Sequence, residues 1–179
     1  MSEQVIRGYW AHAWHNKDFI LIQTYSGYRG GTNGDFKGKT NYLEPDATDE
    51  VLGSAVQDAM AHSRWVLPAP REGTTYPEGV EFDADLGDWK ISKERFELFV
   101  KNVMRKYRYK TKGTLFQDMK NCSIEKKNGQ IKFMPMHHEK FDRWSRTKGD
   151  GIEDFIIPDT STNAEIGAAL RTAFSRCTG

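Results

Sequence analysis

The chain has 179 residues, enough to bury the core of one domain, and its charges nearly cancel: 26 Lys and Arg, 25 Asp and Glu, formal net charge +1. This balance argues against indiscriminate attraction to nucleic acid. No segment is apolar over the length of a membrane span, and the first residues lack the apolar stretch of a secretory signal. We therefore expect one soluble cytoplasmic domain, residues 1–179, with no membrane partner.

The first third of the chain predicts a strand, a loop and a helix. Residues 18–23 are apolar enough for a strand, and residues 27–39 form a glycine-rich loop. Because this loop lacks the Gly-Lys-Ser/Thr ending of a phosphate-binding loop, we interpret it as a surface loop. An extended stretch then ends at Pro45, and Thr48 caps a predicted amphipathic helix that contains Gly53.

A similar unit recurs near the end of the chain. Residues 155–159 are extended and apolar up to Pro158, Thr162 stands at the cap position, and the helix that follows contains Gly167. Glycine inside a helix costs about 1 kcal/mol relative to alanine. We therefore interpret Gly53 and Gly167 as positions where a helix backbone packs closely against a sheet or another helix, so that the repeated unit is structural.

The segment between the two units predicts a helix and a hairpin. Residues 92–106 have helical spacing of apolar side chains, with Ser92 as the expected N-cap. Residues 121–127 and 130–134 alternate in polarity around Asn128-Gly129, a strong signal for a tight hairpin turn. The order of elements favours the α+β class: a single domain with a largely antiparallel sheet covered by helices.

No residue pattern indicates catalysis, a metal site or a cofactor site. The sequence has neither a nucleophile elbow nor a cysteine beside a histidine. His137 and His138 are adjacent, so their side chains point in different directions and do not converge on a metal. Cys122 and Cys177 lie far apart in the sequence and are expected to be reduced, buried thiols. We predict that the protein is not an enzyme.

The wording of several short motifs is specific to one family. The motifs are MKNCSIE (119–125), NGQI (128–131), HHEKF (137–141), Trp144, EIGAAL (165–170), AFSRC (173–177), SGYRG (26–30), Leu52-Gly53, Ser63-Arg64 and YRYKTKGTL (107–115). They are spread over residues 26–177, well over half of the chain, and through them the chain resembles the immunity proteins of bacterial contact-dependent growth inhibition (CDI) systems, the CdiI family.

The resemblance implies a protein without chemistry of its own. A member of this family is expected to bind the C-terminal toxin domain of its cognate effector, the CdiA C-terminal domain, and to neutralise it as a stoichiometric 1:1 blocker. No cofactor is implied. Toxins of such systems are commonly nucleases, so we expect a nuclease here. The motifs lie mainly in the predicted scaffold, and the resemblance therefore assigns a function without assigning a contact surface.

An acidic stretch is the best candidate for that surface. From residue 72 to 88 the chain has six acids and neither Lys nor Arg, interspersed with aromatic residues and loop-forming glycines. Carboxylates would suit the basic cleft of a nuclease, and aromatic side chains would anchor the contact. The alternative is a solvated loop whose acids pair with the basic helix that follows. The candidate toxin-binding residues are Glu72, Tyr76, Glu78, Glu81, Phe82, Asp83, Asp85, Asp88 and Trp89.

The basic region 90–112 suggests an alternative function, that of a nucleic-acid-binding module. It contains nine Lys and Arg among aromatic residues, a composition typical of nucleic-acid surfaces. However, Phe96 and Phe99 fall where the apolar stripe of the helix should face the core. We therefore favour an interpretation in which the Lys and Arg side chains lie on the solvent-exposed face of the helix and no nucleic acid is bound directly.

Overall fold

The computed structural model describes residues 4–179. In this range it has eleven strands and four helices. The strands are β1 Tyr9–His15, β2 Ile20–Gly27, β3 Thr32–Gly34, β4 Thr40–Leu43, β5 Val66–Leu67, β6 Glu81–Phe82, β7 Lys120–Lys127, β8 Gln130–Pro135, β9 His137–Lys140, β10 Arg143–Ser145 and β11 Phe155–Pro158. The helices are α1 Asp49–Ala61, α2 Trp89–Tyr107, α3 Lys112–Phe116 and α4 Asn163–Arg176.

Seven strands form one antiparallel sheet. Its order is β11-β8-β7-β1-β2-β3, with β4 also paired to β2. Two small sheets lie beside it, an antiparallel β9–β10 pair and a parallel β5–β6 pair. The predicted α+β fold with a largely antiparallel sheet is confirmed. Within the described part of the chain, no helix is both long and apolar enough to cross a membrane.

The sheet is built from two similar halves. β1, β2, β4 and α1 form one half, and β7, β8, β11 and α4 form the other, with β1 and β7 paired at the centre. The predicted hairpin connects β7 to β8 through Asn128 and Gly129, whose φ angles of 52° and 78° match the left-handed turn that such hairpins use. The repeated unit detected in the sequence is therefore the outer part of each half.

The two halves meet where α1 crosses α4. A Cβ atom on Gly53 would lie 2.7 Å from the Cα of Asn163 and closer still to its carbonyl oxygen. Reciprocally, a Cβ on Gly167 would lie 2.7 Å from the Cα of Asp49. Each glycine thus faces the first residue of the opposite helix. This contact confirms the predicted close packing and identifies its partner as a helix.

The two faces of the sheet contribute to two hydrophobic cores. Alternation along β1 sends Ala11 and Ala13 towards α1 and α4, whereas Trp14 faces α2 and α3. The first core also includes Phe133 and Leu170, both 0% exposed. The second core, between the sheet and α2 and α3, is the smaller of the two.

Several boundaries differ from the predicted ones. Helix α2 begins at Trp89, and its N-cap is Asp88 instead of Ser92, because the Asp88 carboxylate accepts hydrogen bonds from the backbone N–H groups of Lys90 and Ile91 at 2.9 and 3.0 Å. The glycine-rich loop contains the short strand β3. Both cysteines are free; Cys122 is buried, as expected, but Cys177 is only half-buried.

Candidate functional site

Residues 68–88, here called the acidic segment, connect β5 to α2 and contain little regular structure. Only β6 interrupts it, pairing in parallel with β5. The backbone N–H of Glu81 donates to the carbonyl of Trp65 at 2.8 Å, and that of Asp83 donates to the carbonyl of Leu67 at 2.9 Å. The segment is therefore a long loop attached to the body of the protein along one short edge, as its glycines and prolines predict.

Most of the candidate residues in this segment face solvent. Five of the acids are exposed, namely Glu72, Glu78, Glu81, Asp85 and Asp88. Two aromatic side chains accompany them: Phe82 is 42% exposed and Trp89 is 70% exposed. Tyr76 is half-buried, and its ring meets that of Phe82 edge-on with centroids 5.2 Å apart. The arrangement presents carboxylates and aromatic rings on one exposed stretch.

Asp83 differs from the other acids because it forms ion pairs within the protein. Its carboxylate lies 2.9 Å from Nη2 of Arg64 and 3.3 Å from Nζ of Lys37, and its side chain is only 12% exposed. The hydrogen bond from Arg64 is the largest cause that lowers the pKa of Asp83, to about 2. Asp83 is thus ionised at neutral pH and is directed inwards, towards the sheet.

Arg64 also binds a second, deeply buried carboxylate. Asp35, which follows β3, is 2% exposed and accepts hydrogen bonds from Arg64 Nε at 2.7 Å and Nη2 at 3.1 Å. Ser26 Oγ donates to the same carboxylate at 2.6 Å. Burial alone would raise the pKa of Asp35, but these hydrogen bonds outweigh it and the pKa is lowered. We call Ser26, Asp35, Arg64 and Asp83 the Arg64 network.

The network brings together motifs that are distant in the sequence. The backbone N–H of Arg64 donates to Ser26 Oγ at 2.8 Å, and the backbone N–H of Gly27 donates to the Arg64 carbonyl at 3.3 Å. The sequence identified Ser26 and Arg64 only as family motifs and did not identify Asp35 at all. No signal in the sequence could have identified Asp35, because the sequence shows neither that the Arg64 side chain is only 17% exposed nor which acids the fold brings close to it.

The acids of the segment do not pair with the basic region 90–112. Among residues 4–179, no ion pair joins an acid of positions 72–88 to a base of positions 90–112. The only acid of the segment that is paired in this range, Asp83, takes its partners from elsewhere. The five exposed carboxylates therefore have no ion-pair partner among residues 4–179.

The aromatic residues of the basic region face inwards. Phe96 and Phe99 are half-buried against the second core, and the Phe99 ring lies 5.8 Å from that of Trp14. Tyr107 stacks on Phe19 with centroids 4.5 Å apart. All the lysines and arginines of α2 except the half-buried Arg95 are exposed. Stacking of nucleobases requires exposed aromatic rings. This arrangement therefore favours the interpretation in which the basic residues form a solvent-exposed helix face and do not bind nucleic acid.

The histidines have structural partners. His12 stacks on Tyr25 with ring centroids 3.9 Å apart, and burial lowers the pKa of His12 to about 3. His138 stacks on Trp144 at 4.7 Å, and His137 Nδ1 lies 2.8 Å from the hydroxyl of Thr178. In the described range of 4–179, no group of three His, Cys, Asp or Glu side chains could hold a metal ion.

Three comparisons relate this chain to known proteins. The family model for the CDI immunity protein CdiI matches residues 9–177. The immunity protein CdiI-YPIII of Yersinia pseudotuberculosis serotype O:3 (strain YPIII) is 43% identical over 175 residues, which is 98% of each chain.

The structural comparisons agree with the sequence comparisons. A chain of the CdiA-CT/CdiI toxin and immunity complex from Yersinia pseudotuberculosis superposes with a TM-score of 0.92 at 42% identity, covering 98% of this chain and 100% of that one. A protein of unknown function from Neisseria meningitidis superposes with a TM-score of 0.80 at 32% identity, covering 99% of each chain. The motifs, the fold and these similarities agree over nearly the whole length, and the chain belongs to the CdiI family of CDI immunity proteins.

Proposed function

We propose that this protein binds the C-terminal toxin domain of its cognate CdiA effector and neutralises it as a one-to-one blocker in the cytoplasm. The observation that carries the proposal is the similarity, over 98% of the chain, to a chain of a solved toxin and immunity complex. Inhibition would come from occupying the toxin surface. It would require neither a cofactor nor catalysis by this chain.

The proposed contact surface is the exposed part of the acidic segment together with the start of α2. Its unpaired carboxylates would attract a basic cleft and accelerate association. Phe82 and Trp89 are the exposed aromatic side chains that could enter a pocket and supply most of the affinity. Because a nuclease must bind a polyanion, such a surface suits a nuclease toxin.

Co-expression with the CdiA toxin domain encoded beside this chain tests the inhibitory function. We expect cells to survive, and a complex of one toxin domain and one immunity chain to elute together in size-exclusion chromatography with light scattering. Purified toxin should degrade RNA or DNA, and addition of an equimolar amount of this protein should stop it. If cells die and the two chains elute separately, the proposed function is wrong.

A charge-neutralising variant tests the contact surface. Glu78→Gln, Glu81→Gln and Asp85→Asn together remove three exposed charges while leaving the N-cap Asp88 and the paired Asp83 intact. We expect the association rate constant to fall about tenfold at low salt, with a smaller loss at high salt.

The matched control removes the same charge elsewhere on the surface. Glu50→Gln, Glu139→Gln and Asp142→Asn together also change three exposed acids. We expect this control to retain most of the association rate. Equal rates for the two triple variants would show that the acidic segment is not the contact and that only net charge matters.

A further inference from the structure

We propose that Arg64 is a positioning residue for toxin binding: it holds the acidic segment in its binding-competent position without itself contacting the toxin. This inference rests on the proposed function, because it concerns the surface assigned there. It adds a residue outside the candidate set and changes the role of Asp83 from that of a contact to that of an anchor.

Arg64 is placed to join two parts of the structure. Its guanidinium group binds Asp35, which belongs to the turn after β3, and Asp83, which follows β6 in the acidic segment. Lys37 approaches Asp83 from the same turn. One end of the bridge is therefore fixed in the sheet, since Asp35 is buried and also binds Ser26. The other end reaches the segment that carries the exposed acids.

The acidic segment has few other attachments to the sheet. Apart from the links to α2 at Leu86 and Asp88, the side-chain hydrogen bonds and ion pairs that join residues 68–88 to the rest of the described structure all end on Asp83. The backbone contributes the parallel pairing of β6 with β5, together with hydrogen bonds from the N–H of Glu81 to the Trp65 carbonyl and from the N–H of Asp83 to the Leu67 carbonyl. Of the apolar side chains in this segment, Leu86 next to α2 is the buried one, at 5% exposed, so the part around β6 can open locally at low cost. Loss of the Asp83 anchor should therefore release the segment while the rest of the fold is retained.

A segment that is released part of the time binds its partner more slowly. If only a fraction of molecules present the surface correctly, the apparent affinity and the association rate fall by that fraction, whereas the dissociation rate of the formed complex is unchanged. Loss of a buried direct contact raises the dissociation rate, whereas loss of an exposed steering charge lowers the association rate without loosening the segment. Binding kinetics together with hydrogen exchange of the free protein therefore distinguish a positioning role from a contact.

Asp83→Asn is the central variant, because it removes the anchor charge and leaves the pair between Arg64 and the buried Asp35 in place. Arg64→Lys is the conservative second variant, which keeps the charge but not the planar guanidinium group that binds both carboxylates. Arg146→Lys is the matched control. Arg146 likewise binds two carboxylates, Asp150 and Asp154, each at 2.9 Å, in a loop outside the proposed surface.

The test is surface plasmon resonance with the purified CdiA toxin domain, combined with hydrogen exchange of the free protein. For Asp83→Asn and Arg64→Lys we expect an association rate about tenfold lower, an unchanged dissociation rate, and faster exchange at the amides of Glu81 and Asp83. The double variant that combines Asp83→Asn with Arg64→Lys should have the same association rate as each single variant, because both substitutions remove the same bridge. Arg146→Lys should bind like the wild type.

Two results would overturn the inference. Unchanged binding despite faster exchange in the segment would show that its position is irrelevant to the toxin, and a raised dissociation rate for Asp83→Asn would identify Asp83 as a direct contact. The proposed contact surface fails separately, if the Glu78, Glu81 and Asp85 triple variant binds the toxin as well as its matched control does.

Discussion

The two halves of the sheet share one architecture but differ in what the chain adds to them. In each half a pair of strands, an edge strand and a capped helix cover the first core. The half that contains α1 is followed by residues 62–119, which include the acidic segment, α2 and α3, before β7 begins. In the half that contains α4, residues 136–154 lie between β8 and β11 and include only the short pair β9 and β10. The repeated part is scaffold, and the added part carries the candidate surface.

Two arginines outside the repeated elements each bind two carboxylates: Arg64, which follows α1, and Arg146, which precedes β11. They differ in how far along the chain their partners lie. Arg146 binds Asp150 and Asp154, which lie 4 and 8 residues away in the chain, and so shapes its own loop. Arg64 binds Asp35 and Asp83, which lie 29 and 19 residues away on opposite sides of it. Arg64 therefore connects separate elements, and its loss should have the wider effect.

The largest expected effect concerns the contact between the halves. Gly53→Ala and Gly167→Ala should each destabilise the protein by about 4 kcal/mol, because the new Cβ meets backbone that can move only if the helices separate. Urea unfolding followed by circular dichroism measures the change. The matched control is Gly113→Ala in α3, where the nearest atom to a new Cβ is 3.9 Å away, and it should be neutral or stabilising by about 1 kcal/mol. If only one of these two alanine variants loses stability, the two glycines do not contribute equally to the contact between α1 and α4.

These glycines were predictable because the sequence carries the signal locally. A glycine inside an otherwise good helix has an energetic cost, and its occurrence at the same place in two capped helices indicates a packing constraint. The sequence did not show that the partner of each glycine is the first residue of the other helix. That pairing depends on the order of strands in the sheet, which is set by contacts between distant residues.

The next largest expected effect is the difference in stability loss between variants of Arg64 and Arg146. Arg64→Met should cost about 3 kcal/mol, because it leaves the buried carboxylate of Asp35 without its cationic partner. Arg146→Met should cost about 1 kcal/mol, because its side chain is 28% exposed and its partners are 15% and 33% exposed. Urea unfolding of the two variants provides the comparison. Equal losses would contradict the distinction between a bridge across elements and a bond within one loop.

The Arg64 network shows where prediction from sequence ended. The acidic stretch, its aromatic residues and its loop character were all visible in the chain, and most of these residues are exposed in the structure. The inward direction of Asp83 was not visible, because its partners Arg64 and Lys37 are supplied by other elements. The role of Asp88 as N-cap was missed for a simpler reason: Ser92 also fits the cap pattern, and only the backbone distinguishes the two.

A smaller loss of stability is expected when the N-cap threonine of α1 or α4 is replaced. The hydroxyls of Thr48 and Thr162 each accept a hydrogen bond at 3.2 Å, from the backbone N–H groups of Val51 and Glu165. Replacement of either threonine by alanine should cost about 1 kcal/mol. Thr162→Ala should cost slightly more, because the Thr162 hydroxyl also bonds the Glu165 carboxylate at 3.0 Å. Thermal unfolding would detect the difference, and a larger loss for Thr48→Ala would argue that the two helix starts are not equivalent.

The smallest effect is the pH dependence of the acidic segment. The pKa of Asp83 is lowered from 3.8 to about 2, so its pairing with Arg64 stabilises the attached segment fully above pH 4 and is lost as the pH falls towards 2. Hydrogen exchange at the Glu81 amide, corrected for the intrinsic rate, should be constant from pH 5 to 7 and should accelerate below pH 4.

In Asp83→Asn the exchange should already be fast at pH 7 and should show a weaker acid dependence. Arg146→Lys, which leaves Asp83 and its partners unchanged, should follow the wild type. An acid dependence of Asp83→Asn equal to that of the wild type would mean that another carboxylate attaches the segment, and Asp35 would then be the residue to examine, because it faces the same arginine.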